Sequence, residues 1–115
     1  MSTPIVFFDI AGPDPKVLSA FYKAVFDWDA GPTGGLAVKS RTPLPGTFRG
    51  DPAEKVIYLG VPDVAASLAE VVAHGGHVAA PRFEVPGVVV LGLFLDPAGN
   101  RMGLVEMGGD LPKIP

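Results

Sequence analysis

The sequence contains no cysteine, which removes disulfides, thiolate metal sites and cysteine nucleophiles from consideration. No apolar stretch reaches membrane-spanning length, and the N-terminus lacks the basic start and long apolar region of a signal peptide. A soluble, cytoplasmic protein without membrane contact is therefore expected. Basic charge is also scarce: nine Lys and Arg stand against twelve Asp and Glu, a formal net charge of −3. Nucleic acid and anionic lipid both demand clustered cations, so neither is an expected partner. Phosphate-cradling glycine loops, Ser-His-Asp arrangements and paired carboxylates at catalytic spacing are missing too.

What is present fits one ordinary domain over residues 1–115, long enough to bury a proper core. Apolar residues make up 48% and charged ones 18%, the balance of a compact globular chain rather than a disordered one. The 15 glycines and 13 prolines fall between apolar runs, which points to many short elements joined by tight turns.

The chain repeats itself. IVFFDIAGPDPKVLSAFYKAVFDW from Ile5 and KVIYLGVPDVAASLAEVVAHGG from Lys55 align on Pro13-Asp14 and Pro62-Asp63, placing Phe7 opposite Val56 and Asp9 opposite Tyr58. Each copy reads as a strand, a Pro-Asp turn and an amphipathic helix. Asp14 and Asp63 are natural N-caps, and Pro15 occupies the first helical position, where a missing donor costs nothing. Val17, Phe21 and Val25 share one face of the first helix, and Val64, Leu68, Val71 and Val72 one face of the second. Gly75-Gly76 ends the second helix.

Strands are expected at His77–Phe83, Val88–Leu95 and Arg101–Met107, with turns at Pro86-Gly87 and Asp96–Asn100. In the first copy Gly35–Ser40 reads as a strand and Gly46–Arg49 as a weak one, joined by an RTPLPG loop. The fold class is α+β: two βαβββ modules with the first shortened, at about 4–54 and 55–108, followed by a tail at 109–115. In LFLDPAGNRMGLVE (93–106) Asp96 can bond onward along the backbone, Pro97 presets the turn, and Gly99 or Asn100 takes the left-handed conformation.

The pieces FFDIAGPDPKVLSAFYKAVFDW, YLGVPDVAASLAEVVAHGGHV and FLDPAGNRMGLVE, in this order, resemble the vicinal oxygen chelate superfamily of glyoxalases, bleomycin-resistance proteins and extradiol dioxygenases. The resemblance covers most of the chain outside about Asp29–Glu54, and Asp27 stands where that family usually has glycine. It implies paired βαβββ modules whose curved, mostly antiparallel sheets form a cup. In metal-dependent members His, Gln or Glu ligands come from the first strand of each module and from the last strand. Carried across, those positions fall on Phe7, Val56 and Gly103, none of which can coordinate a metal. No metal and no cofactor is therefore expected.

Strand parity puts Phe7 and Asp9 on the cup face with Val56, Tyr58, Gly103 and Val105; Phe8, Ile10, Ile57, Leu59, Met102 and Leu104 turn toward the helices. Glu106 falls on the parity opposite the ligand position, as a strand-end acid. Asp9 reads either as an acceptor or base in the cup or as an acid satisfied by neighbouring donors. Tyr58 is either a hydroxyl donor to a ligand or an aromatic cover for the sheet. His74 suits a helix C-terminus, and His77 lies just beyond it. Trp28, Phe7, Phe83 and Phe94 are core aromatics or a clamp on a flat ligand, and Lys39, Arg41 and Arg49 are loop cations or contacts to an anion.

The resemblance implies a metal-free protein of the bleomycin-resistance type that binds a small organic molecule in a cup lined by Phe7, Asp9, Val56, Tyr58 and Gly103, as a homodimer. Two alternatives stay open. One is a metal-dependent lyase, isomerase or dioxygenase of the same superfamily with displaced ligands such as Asp9 and Glu106. The other is an interaction module without a ligand. Whether the chain is an enzyme is left undecided by the sequence.

Overall fold

The computed structural model describes residues 3–39 and 42–115. Its elements run β1 (Ile5–Gly12), α1 (Pro15–Phe26), β2 (Gly35–Val38), β3 (Leu44–Gly50), β4 (Glu54–Val61), α2 (Val64–Ala73), β5 (His77–Val85), β6 (Val89–Leu95), β7 (Arg101–Gly108) and β8 (Leu111–Pro112). Segregated helices and strands make it an α+β fold. The chain divides into two compact units, Phe7–Ile57 and Tyr58–Pro115, the latter including the N-terminal residues through Val6. No helix among the described residues is long and apolar enough to cross a membrane.

In the first unit β1 pairs parallel with β3, and β2 lies antiparallel on the other side of β3. In the second, β4 pairs parallel with β7, β6 antiparallel with β7 and β5 antiparallel with β6. Each unit thus opens strand–helix and returns to a strand parallel to its first. The second has β5 in addition, and β8 pairs back onto β7. Leu44 and Pro45, expected in a loop, belong to β3, because its pairing with β2 continues to Val38↔Leu44. Ser40, expected in the strand that is β2, lies outside the described residues.

Both aspartate caps form. Asp14 Oδ1 accepts from the Lys16 amide at 3.0 Å and Asp63 Oδ1 from the Ala66 amide at 3.0 Å, each satisfying an N–H group with no partner inside its helix. Helix α2 ends on Gly75 at φ 95°, with the Gly76 amide bonding back to the Val71 carbonyl at 2.8 Å. Helix α1 ends differently. Asp27 takes the left-handed conformation at φ 58°, ψ 35°, and Lys23 Nζ lies 2.7 Å from its carboxylate. A side chain is strained in that backbone region where glycine is not.

The hairpin between β6 and β7 closes as its residues suggest. Asp96 Oδ1 accepts from the Ala98 and Asn100 amides at 3.0 and 2.9 Å, Asn100 Nδ2 donates to Asp96 Oδ2 at 2.8 Å, and Gly99 supplies the positive φ of 94°.

The helices seat unequally. Val64 and Leu68 of α2 are 0% and 5% exposed and pack with Val61 and Leu104, with Leu59 and Phe94 against them. Gly92 lets α2 approach, since a Cβ there would stand 2.6 Å from Val64 Cγ1. Helix α1 buries no residue fully. Its Tyr22 stacks on Trp28 and Phe48 at ring distances of 5.1 and 5.5 Å, and Trp28 meets Phe8 edge-on at 5.8 Å. The face expected to pack, Val17, Phe21 and Val25, turns outward, with more than half of each side chain exposed. Leu18 and Tyr22, one position on, face the sheet instead. An apolar stripe does not say which of two adjacent stripes is the buried one.

Candidate functional site

The rings of Phe8 and Phe48 lie with Tyr22 of α1, so the pairs Phe8↔Gly46 and Ile10↔Phe48 mark the helix-facing side of the first unit. The intervening pairs, Asp9↔Thr47 and Ala11↔Arg49, mark the helix-free side. Asp9 is thus where parity predicts, and it is 2% exposed. Arg49 reaches it with Nε 3.1 Å from Asp9 Oδ1, while its two terminal nitrogens take Asp51 at 2.9 Å and Glu54 at 2.6 Å. Burial works to lower the Arg49 pKa, but the bonds it donates to Glu54 and Asp51 and the charge of Asp9 outweigh it and raise the value. The guanidinium therefore stays charged and ties β1, β3 and the start of β4 together.

Asp9 is accordingly an ion-paired acid, the partnered form in which carboxylates tolerate burial. Arg49 was expected as a loop cation or a contact to an anion, not as the partner of Asp9. The missed signal was alternation: Phe48 on the helix face requires Arg49 on the same face as Asp9. Phe7 is half-buried and Val56 is 1% exposed. Lys39 is exposed just past β2, and Arg41 lies outside the described residues.

In the second unit Leu59, Val61 and Leu104 face α2. The pairs Tyr58↔Gly103 and Gly60↔Val105 consequently lie on the helix-free side, as parity predicts. Tyr58 covers Gly103 closely: a Cβ on Gly103 would stand 2.2 Å from the Tyr58 ring. Tyr58 itself is 9% exposed. Ile57, expected to pack inward, is instead 41% exposed.

Glu106 was read as a strand-end acid, yet it is 5% exposed. Its pairing with Val61 puts it on the α2 side of β7. Arg82 of β5 grips it with two bonds, Nε to Oε2 and Nη2 to Oε1, both 3.0 Å. The first amide of α2, Val64 N–H, donates to Oε2 at 2.9 Å, and Lys113 stands 3.4 Å from Oε1. Arg82 first, then the Val64 amide, hold the Glu106 carboxyl at about 2, below its usual value. Neither Arg82 nor Lys113 stood out in the sequence, because an arginine in an edge strand and a lysine in a tail are ordinary surface residues there.

Other readings resolve simply. Trp28 packs with Tyr22 and Phe8, and Phe94 against the α2 core, so both serve as packing; Phe83 is 39% exposed. His74 is the C-cap of α2, with Nδ1 2.9 Å from the Glu70 carbonyl, and His77 begins β5. Among the described residues no three His, Asp or Glu side chains gather as a metal-ligand group. The positions implied for metal ligands, Phe7, Val56 and Gly103, offer no side-chain donor, and the Tyr58 ring fills the space a longer side chain at Gly103 would need. These residues do not fit that metal arrangement.

Comparison with known proteins agrees with this architecture. Residues 5–105 match the family described as glyoxalase-like domain. The chain belongs to that family. It is 30% identical to the "Putative glyoxylase CFP32" proteins of Mycobacterium bovis and Mycobacterium tuberculosis over 84% of its length, and it spans 42% of theirs. Streptomyces coelicolor methylmalonyl-CoA epimerase, solved with 2-nitronate-propionyl-CoA, superposes with a TM-score of 0.66 at 17% identity, covering 98% of this chain and 99% of that one. The protein BH1468 of Bacillus halodurans gives 0.65 at 13% identity, covering 98% and 100%. At these identities the structural likeness shows the fold, which is the one the vicinal oxygen chelate resemblance implied.

Proposed function

We propose that this glyoxalase-like protein binds a small organic molecule on its helix-free strand surface, without the metal-ligand triad of its enzymatic relatives. The observation that carries the proposal is the Tyr58 ring lying across Gly103, in place of the last-strand ligand. Phe7 and Val56 remove the other two donors. On the helix-free side of the first unit the Asp9–Arg49 pair supplies a charged group with Phe7, half-buried, on the same strand, and on that side of the second unit the Tyr58 ring covers Gly103. Small-molecule sites have this composition, an apolar wall with a few oriented polar groups. The complex of the Streptomyces coelicolor epimerase with a CoA-ester analogue supports looking first among acyl compounds.

Metal-dependent lyase, isomerase or dioxygenase chemistry through Asp9 and Glu106 is the weaker reading. Glu106 faces α2, with both oxygens engaged by Arg82, the Val64 amide and Lys113. Elemental analysis of protein purified without chelators decides between them. Stoichiometric Fe, Mn, Ni or Zn that also raises the melting temperature would sink the metal-free reading. A panel of acyl and aromatic compounds should raise the melting temperature of the wild type, and Arg49→Gln should abolish the shift. No shift with any compound would favour an interaction module.

The protein is further proposed to act as a homodimer through Val17, Phe21 and Val25. A second copy suits this stripe because three apolar side chains, each more than half exposed, lie along one helix face and can cover the same face of a partner. Sedimentation of the wild type should give a dimer and Phe21→Asp a monomer; a monomeric wild type overturns this.

A further inference from the structure

The helix side of the first unit has a pocket that the Asp9–Arg49 face does not use. It lies between α1 and the following loop, with a volume of about 540 Å³. Small-molecule sites typically enclose roughly 300–1,000 Å³. Phe48, 3% exposed, forms its base, and Pro15, Ala20 and Pro32 contribute apolar walls. Lys16, Ser19 and Lys23 enter from α1 and Asp29 and Thr33 from the loop, the Asp29 carboxylate lying 3.6 Å from Lys23 Nζ. Positions 16, 19, 20 and 23 follow one another along a single helical face. At 1.5 Å per residue the two lysines are set about 10 Å apart along the axis.

The lysines are not equivalent. Lys23 Nζ sits 2.7 Å from Asp27 and 3.6 Å from Asp29, so its charge is engaged in fastening the loop to the helix. Lys16 forms no ion pair among the described residues. One cation is therefore available at one end of a partly apolar pocket, with the Ser19 hydroxyl one helical turn along.

We propose that this pocket binds a small organic monoanion, its carboxylate or sulfonate group on Lys16 and Ser19 and its apolar body against Phe48, Pro15 and Ala20. Such a ligand matches the pocket in both charge and surface, because a charged hydrogen bond orients it while apolar contact supplies the remaining attraction. The site is separate from the strand surface proposed above: its residues come from α1, the loop and the opposite face of β3.

Amide NMR titration of the full chain with 2-naphthoate tests this. Saturable shifts are expected at residues 16–23, 30–34 and 48. Lys16→Glu should weaken binding about tenfold or more by replacing attraction with repulsion, and Lys16→Arg should retain it. Ala20→Trp, at an exposed helix position, should block the pocket while leaving the rest of the spectrum intact. Val72→Ser, at an exposed position of α2 that takes no part in the pocket, should leave binding unchanged. Absence of saturable shifts overturns the proposal, as does unchanged affinity in both Lys16→Glu and Ala20→Trp. Shifts centred on Asp9, Thr47 and Arg49 also overturn it, while leaving the strand-surface reading standing.

Discussion

Helix α2 places Val64 and Leu68 in the core at 0% and 5% exposure, whereas α1, started by the same Pro-Asp turn and the same kind of cap, buries none of its residues. The two buried acids differ in the same direction. Glu106 is held by a bidentate arginine, a helix amide and a lysine, and it belongs to the packing beneath α2. Asp9 shares its arginine with Asp51 and Glu54 on a strand face that carries no helix. One motif used twice has become a packed anchor in the second unit. In the first it holds a more loosely seated helix, beside which the chain keeps a pocket and an outward apolar stripe.

The contrast predicts unequal costs. Glu106→Ala should be the most damaging change, about 3 kcal/mol or more in urea unfolding, because it strands the buried first amide of α2 and takes the carboxylate from the partly exposed Arg82. Asp9→Ala should cost roughly half of that or less, since Arg49 keeps two other carboxylates. Equal losses would erase the distinction. Leu68→Ala should cost about 3 kcal/mol and Leu18→Ala, half-buried on α1, about 1 kcal/mol; the reverse order would make α1 the anchor instead.

Gly103→Ala should cost about 2 kcal/mol by forcing the Tyr58 ring aside. Combining it with Tyr58→Val should recover part of that loss in a double-mutant cycle. Simple additivity would show that the ring does not press on Gly103.

The pH dependence follows from Glu106. Its folded value of about 2 lies below its ordinary 4.5, so its contribution is complete above about pH 4.5 and disappears as the pH falls through 2. Thermal melts across that window should flatten in Glu106→Gln. An unchanged slope would assign the acid sensitivity elsewhere. The smallest effect is expected at the end of α1. Asp27→Gly relieves the left-handed strain but loses the Lys23 contact, for a net rise of no more than about 2 °C in melting temperature. A clear fall would mean that the contact outweighs the strain.

Much of this fold is written locally. Asp14 and Asp63 cap where a carboxylate can reach free amides, Gly75 ends α2, and DPAGN closes its hairpin through Asp96 and Gly99. Each of these depends on side chains within a few residues of one another, so short-range chemistry suffices. Strand parity likewise placed Asp9, Tyr58 and Gly103 on the helix-free side and Glu106 on the other, because the side-chain period of a strand is fixed. Leu44 and Pro45 escaped, since their strand character comes from pairing with β2 rather than from their own Leu-Pro sequence.

Partners distant in the chain were not legible. That Glu106 would be buried depends on Arg82, 24 residues earlier, and on the free amide of α2, 42 residues earlier. That Arg49 would meet Asp9 depends on the pairing of β1 with β3. Which apolar stripe of α1 turns inward depends on the aromatic cluster of Tyr22, Trp28, Phe8 and Phe48. Residue order thus settled the repeat, the caps, the turns and the absence of ligating side chains at Phe7, Val56 and Gly103. Chain folding settled which charges are buried together and which helix is anchored, because the partner that makes a buried charge tolerable, or covers an apolar stripe, comes from a different strand or helix.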